Sequence, residues 1–210
     1  MKKSYQLLVL IFILLAMAGC SEGEKEQGIA TISSTPDSDY VNTFKELNLG
    51  RLFDFNFELP DTDNQLVTLW VEGYSDGEKI ESNVAELIYS VNPEQDEEGH
   101  LGFGILSPNN KSPQIFTYAP EVRSEPRPLA NNITISGTSR EKYAVGEDEV
   151  NLEAGETRIL AVYREAEKSY KSYDPQNEEA IEKMIAEDDT VLLFKIKVEK
   201  DKEDGSSALN

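Results

Sequence analysis

The chain has one cysteine, Cys20, and one histidine, His100, in 210 residues. A lone cysteine excludes an internal disulfide, and with a single histidine beside it the soft ligands are too few for a zinc or transition-metal site. Basic residues are scarce as well: 20 Lys and Arg stand against 40 Asp and Glu, for a net charge of −20. Such a chain repels phosphate backbones, which excludes nucleic acid as a partner, and it carries no polybasic patch for anionic headgroups. Glycine-rich phosphate-binding patterns are absent. The "GFG" of Gly102 to Gly104 sits inside an apolar stretch and reads as a bulge or a close backbone approach. No apolar run reaches the ~20 residues that a membrane-spanning helix needs, and no internal repeat is present.

What the N-terminus does have is three parts in order. Met1, Lys2 and Lys3 form a short positive segment, Leu7 to Ala18 is uninterruptedly apolar, and Gly19 and Cys20 lead at once into "SEGEKEQG". The basic flank and the length of the apolar run fit a secretory signal peptide. The ending, Met17-Ala18-Gly19-Cys20, resembles the lipobox of bacterial lipoproteins, in which an aliphatic residue and two small ones precede a cysteine. The resemblance covers residues 1–20 and carries no information about the fold of the rest. It implies a diacylglyceryl group on the Cys20 sulfur and cleavage just before Cys20. A thiol is the side chain suited to stable alkylation, and two acyl chains are about what lasting membrane attachment requires.

The remainder divides by composition. Residues 1–19 read as the lipoprotein signal peptide, and 20–42 as the lipidated cysteine with a flexible acidic tether. Residues 43–199 read as a single β-rich domain, and 200–210 as a disordered tail. The tether reading rests on Ser21 to Asp39, where Ile29, Ala30 and Ile32 are almost the only apolar residues. In the domain, "LFDFNFEL" sets Phe53, Phe55, Phe57 and Leu59 on one face, and "LVTLWVEGY" follows after turn-forming "PDTDNQ". The two read as a hairpin. "VAELIYSV" is a third strand after the "SDGEK" turn, "LGFGILS" and "QIFTYA" a second hairpin. "NITISG", "EVNLEAGE", "TRILAVYRE" and "TVLLFKIKVEK" continue the series. One short helix in the C-terminal half interrupts it, capped by Asp174 with Pro175 in its first turn and an apolar stripe of Ala180, Ile181, Met184 and Ile185. The expected fold is mainly β: an antiparallel β-sandwich, immunoglobulin-like in general architecture, with a β-barrel as the alternative. Phe53, Phe55, Phe57, Trp70, Leu192, Phe194 and Ile196 are expected in its core.

Candidate chemistry is thin. His100 lies between a charged loop and a strand with no nucleophile motif beside it, so no catalytic residue is assigned. The acidic turns "DTDN" and "EQDEEGH" make Asp61, Asp63 and Asp96 the best oxygen ligands for calcium, yet neither has the spacing of a calcium loop. No metal and no cofactor are expected. Tyrosines such as Tyr74, Tyr89, Tyr118 and Tyr163 read as core and cross-strand partners, with Tyr170 and Tyr173 set apart in a polar connection. The expectation is therefore a monomeric extracytoplasmic lipoprotein, facing outward from a Gram-positive cell membrane, or in the outer membrane as the alternative. Membrane contact runs through the N-terminal lipid, an envelope protein or the cell wall is the possible partner, and the role is a non-catalytic binding or interaction module. A cell-envelope hydrolase using a carboxylate pair is the alternative.

Overall fold

The computed structural model describes residues 28–60, 65–80, 82–91, 96–107, 112–129, 133, 135, 139–166 and 171–200. Its elements run β1 (Ala30–Ser34), α1 (Asp39–Glu46), β2 (Gly50–Leu59), β3 (Gln65–Ser75), β4 (Glu78–Lys79), β5 (Ala85–Val91) and β6 (Glu97–Leu106). There follow β7 (Gln114–Ala119), β8 (Val122–Arg123), β9 (Arg127–Pro128), β10 (Ser139–Tyr143), β11 (Val150–Leu152), β12 (Thr157–Glu165), α2 (Glu178–Glu187) and β13 (Thr190–Lys200). They make two antiparallel sheets, one ordered β11-β1-β2-β6-β7-β8 with β9 also on β7, the other β10-β12-β13-β3-β4 with β5 also on β3. Neither sheet closes on itself, so the architecture is the sandwich and not the barrel. Among the described residues no helix is long and apolar enough to cross a membrane.

Alternation builds the core. Phe53, Phe55, Phe57 and Leu59 of β2 and Leu101, Phe103 and Ile105 of β6 face Val67, Leu69 and Val71 of β3 and Leu192, Phe194 and Ile196 of β13. Ring contacts cross the gap, Phe103 to Phe194 at 5.0 Å and Phe55 to Phe194 at 5.9 Å. The apolar run "TVLLF" of β13 departs from strict alternation because both of its faces are covered. Val191 and Leu193 join Val162 on the outer side, under Ile181 and Met184 of α2. On the other flank α1 lies against the outer face of the first sheet, with Phe44 6.1 Å from Phe116 and Tyr40 6.5 Å from Tyr118. The layers are helix, sheet, sheet, helix.

Several expectations are corrected. Residues 30–42 are no tether: β1 pairs with β2 (Ile32 with Phe57) and with β11 (Ile32 with Val150), and Ala30 and Ile32 are buried. Two apolar residues on one face suffice where neighbouring strands supply the hydrogen bonds. Among the described residues there are two helices rather than one, because Ser38 caps α1 by accepting from the Val41 N–H at 3.3 Å. The cap of α2 is Asn177, which accepts from the Ala180 N–H at 2.9 Å, while Asp174 closes the preceding turn. β2 and β3 form no hairpin, since each pairs within a different sheet and the connection between them crosses the sandwich. Trp70 is not core. It takes the outward parity of β3 and donates its indole N–H to Glu72 at 3.2 Å. The "LGFGILS"–"QIFTYA" hairpin is present as β6–β7, with Gly102 opposite Tyr118. Cys20, Asp61, Asp63, Tyr170, most of "NITISG" and the tail after Lys200 lie outside the described residues.

Candidate functional site

The outward face of the first sheet is set by the parity of three strands. Leu52, Asp54 and Asn56 point out from β2, His100, Gly102 and Gly104 from β6, and Phe116 and Tyr118 from β7, with Asp54 opposite Gly102 and Gly102 opposite Tyr118. The two glycines are what let the neighbouring rings lie across β6. A Cβ at Gly102 would come within 2.7 Å of the Tyr118 hydroxyl and 2.0 Å of the Phe53 carbonyl, and one at Gly104 within 2.4 Å of the Phe116 ring. The close approach expected of "GFG" is therefore real, made by side-chain rings as well as by backbone.

Tyr118 crosses β6 to donate to Asp54 Oδ1 at 2.7 Å. Thr35 donates to Oδ2 at 3.0 Å, and His100 Nδ1 lies 2.9 Å from the same oxygen. A carboxylate only accepts, so His100 carries its proton on Nδ1 and turns Nε2 away from the pair. Asp54 has no solvent exposure, and its three donors offset the cost of burying a carboxylate. Its own backbone N–H donates to the Tyr143 hydroxyl at 3.2 Å. Burial, then the Asp54 carboxylate, push the Tyr118 hydroxyl far above the usual tyrosine range. Tyr143 is pushed up to about 12, by burial first.

His100 is thus not a loop residue. It belongs to β6, its ring meets Tyr40 edge-on at 5.0 Å, and its side chain is 38% exposed. The Asp54–His100 pair has the orienting half of a proton-transfer site, but Asp54 is its one hydrogen-bond partner among the described residues, and Thr35 gives its hydroxyl to that carboxylate. Asp–His here fastens β2 to β6 and sets the wall of a groove.

That groove has three connected parts. The middle, about 530 Å³, is lined chiefly by Tyr40, Phe44, Leu52, Phe116, Tyr118 and Val122. Beyond Tyr40 and His100 it continues into an open polar cleft of about 660 Å³ with Ser33, Thr35, Asp37, Asp39, Asn56 and Glu147. Beyond Phe44 and Phe116 it continues past Arg123 and Glu125 to Pro126, in a further cleft of about 750 Å³. The sequence signal for it was the outward parity of His100, Gly102 and Gly104, unreadable without knowing which face of β6 was covered.

The second sheet carries a polar cluster outside. Glu72 accepts from Trp70, from Tyr74 at 2.9 Å and from Lys195 at 2.9 Å, and lies 3.2 Å from Lys79. Burial acts to raise its pKa, but the Lys195, Trp70 and Tyr74 bonds outweigh that and hold it at about 2. Nearby under α2, Arg164 grips Asp188 with two bonds of 2.5 and 3.0 Å and covers the Tyr173 ring at 4.7 Å. Among the described residues no three of His, Cys, Asp and Glu converge as a metal site, and Asp96 is exposed just before β6. Comparison with known proteins finds no matching family model, no matching curated protein and no matching solved structure.

Proposed function

We propose that the chain is an extracytoplasmic lipoprotein, held to the membrane by lipid on Cys20, that acts as a non-catalytic binding module through the groove beside α1. The observation that carries the binding reading is the groove itself: the Phe116 and Tyr118 side chains packed close over two glycines, walled by a short helix, and open at both ends. The anchor reading rests on the Met17-Ala18-Gly19-Cys20 ending. With β1 starting at Ala30, about ten residues separate it from Cys20, which even fully extended span no more than about 35 Å. The domain then stands close to the membrane with the Ala30 end of β1 inward. α1 follows the opposite end of β1, which turns the groove toward the medium.

Two measurements test this. Radioactive palmitate should label the wild-type protein and not Cys20→Ala, and label retained by the variant would overturn the anchor. A photo-crosslinking residue in place of Phe44 should give discrete adducts on intact cells, while the same residue in place of Ile88, exposed on the second sheet, should give none. Equal yields at the two positions, or none at either, would overturn the binding reading.

A further inference from the structure

Resting on that reading, we infer that the groove holds an extended basic peptide, an apolar side chain seated over Phe44, Phe116 and Val122 with lysine or arginine flanks against the carboxylates at its two ends. The three clefts form one path, because the first two share Tyr40 and His100 and the last two share Phe44 and Phe116. The path follows α1, whose eight residues span about 12 Å at 1.5 Å per residue. An extended chain rises about 3.3 Å per residue, so roughly four residues lie beside the helix and one or two more reach each end.

Charge selects the occupant. Among the described residues five carboxylates line the path, from Asp37, Asp39, Glu121, Glu125 and Glu147, against the guanidinium of Arg123. Lys45 approaches Asp37 only at 3.9 Å, with both side chains largely in solvent, a pair too weak to compete with a bound cation. A net charge of −20 adds a field of the same sign. Tyr40, 53% exposed between the acidic cleft and the aromatic middle, offers a ring for a lysine or arginine head.

The middle excludes the rival occupants. Phe44, Leu52, Phe116 and Val122 give it an apolar floor, the Tyr118 hydroxyl is already given to Asp54, and the polar groups Thr43, His100, Glu121 and Arg123 stand in the same lining. A sugar chain would lose water from those of its hydroxyls that lie over the apolar floor without gaining partners there, and an anionic ligand would meet carboxylates at both ends. An apolar peptide side chain loses nothing. The area is small, so binding should be transient and micromolar or weaker.

The test uses the full chain in phosphatidylcholine nanodiscs, with empty discs as the blank, and three fluorescent hexapeptides of sequence KRLFKR, QNLFQN and EDLFED read by anisotropy. The basic peptide should bind at least about tenfold tighter than the neutral one, more weakly as salt rises, and the acidic one should not bind. Phe44→Ser should abolish binding. Because an aromatic truncation can disturb folding, the double charge reversal Asp39→Lys/Glu147→Lys, at two exposed positions, provides the second arm and should weaken KRLFKR by about tenfold or more. Equal affinity for basic and neutral peptides, no binding above the blank, unchanged affinity after charge reversal, or competition by cellohexaose would overturn the peptide assignment. Cross-links at position 44 that persist in any of those cases would leave the binding-module reading standing, and their loss would sink it too.

Discussion

Asp54→Ala is the substitution whose cost can be worked most fully from the structure. It removes a wholly buried carboxylate that accepts from Tyr118, Thr35 and His100. Thr35 and His100 border an open cleft and can turn to water. The Tyr118 hydroxyl lies deeper, and its remaining acceptor is the Phe53 carbonyl at 3.4 Å, a poor bond. A bond to a charged group contributes about 1.5–3 kcal/mol and an orphaned buried donor costs about 1–3 kcal/mol. Relief of the carboxylate's own desolvation opposes these, leaving a net loss of about 3 kcal/mol. In a domain of this size that lowers the melting temperature by roughly 6–12 °C. Asp54→Asn should cost only about 1 kcal/mol, since its carbonyl can face Thr35 and His100 while its amide faces Tyr118. Urea unfolding followed by tryptophan fluorescence gives both numbers. If alanine comes within 1 kcal/mol of wild type, or asparagine costs as much as alanine, the three-donor account of Asp54 is wrong.

Other outcomes follow from the same structure. Glu72 has a depressed folded-state pKa of about 2, so its contribution is complete above the ordinary value near 4.5 and is lost as pH falls from there toward 2. Wild type should lose about 2 kcal/mol more than Glu72→Gln across that window, and parallel pH profiles would refute this. Asp188→Ala, which takes the carboxylate partner from the buried Arg164 guanidinium, should destabilise by about 3–5 kcal/mol, read as a shift in the urea midpoint, whereas a shift below 1 kcal/mol would contradict the bidentate pair. Chelation should leave the melting temperature unchanged, because neither acidic turn has the spacing of a calcium loop; a ligand held at about 100 times its dissociation constant would instead have added about 2.7 kcal/mol. A melting point climbing with micromolar calcium would mark a real site, with Asp61, Asp63 and Asp96 the first to mutate.

The phenylalanines of β2 were legible in the sequence because one face of that strand is apolar and the other carries Asp54, Asn56 and Glu58, so its period of two survives. β1 was not, because Ala30 and Ile32 are too few to announce a strand and gain their burial from β2 and β11, which lie far along the chain. Strand pairing failed for the same reason: adjacency in sequence pointed β2 at β3, while the sandwich sends them to opposite sheets. Trp70 was misplaced because its strand shows apolar residues at both parities, and only packing decides which face is covered. The site was the least legible part. Asp54, Gly102 and Tyr118 come from three strands, and nothing local marks them as neighbours.

The placement of β1 has a mechanical consequence. For a domain held through its N-terminus and gripped along α1, tension enters at Ala30 and leaves beyond Ser34, along the axis of the strand. β1 is bonded on both edges, to β2 and to β11, and its far end is locked where the Thr35 N–H donates to the Asp54 carbonyl at 2.9 Å. Tension along that axis loads both ladders together in shear, so they cannot open one bond at a time. Resistance to pulling is set by the unfolding rate rather than by equilibrium stability, and here it resides in one five-residue strand.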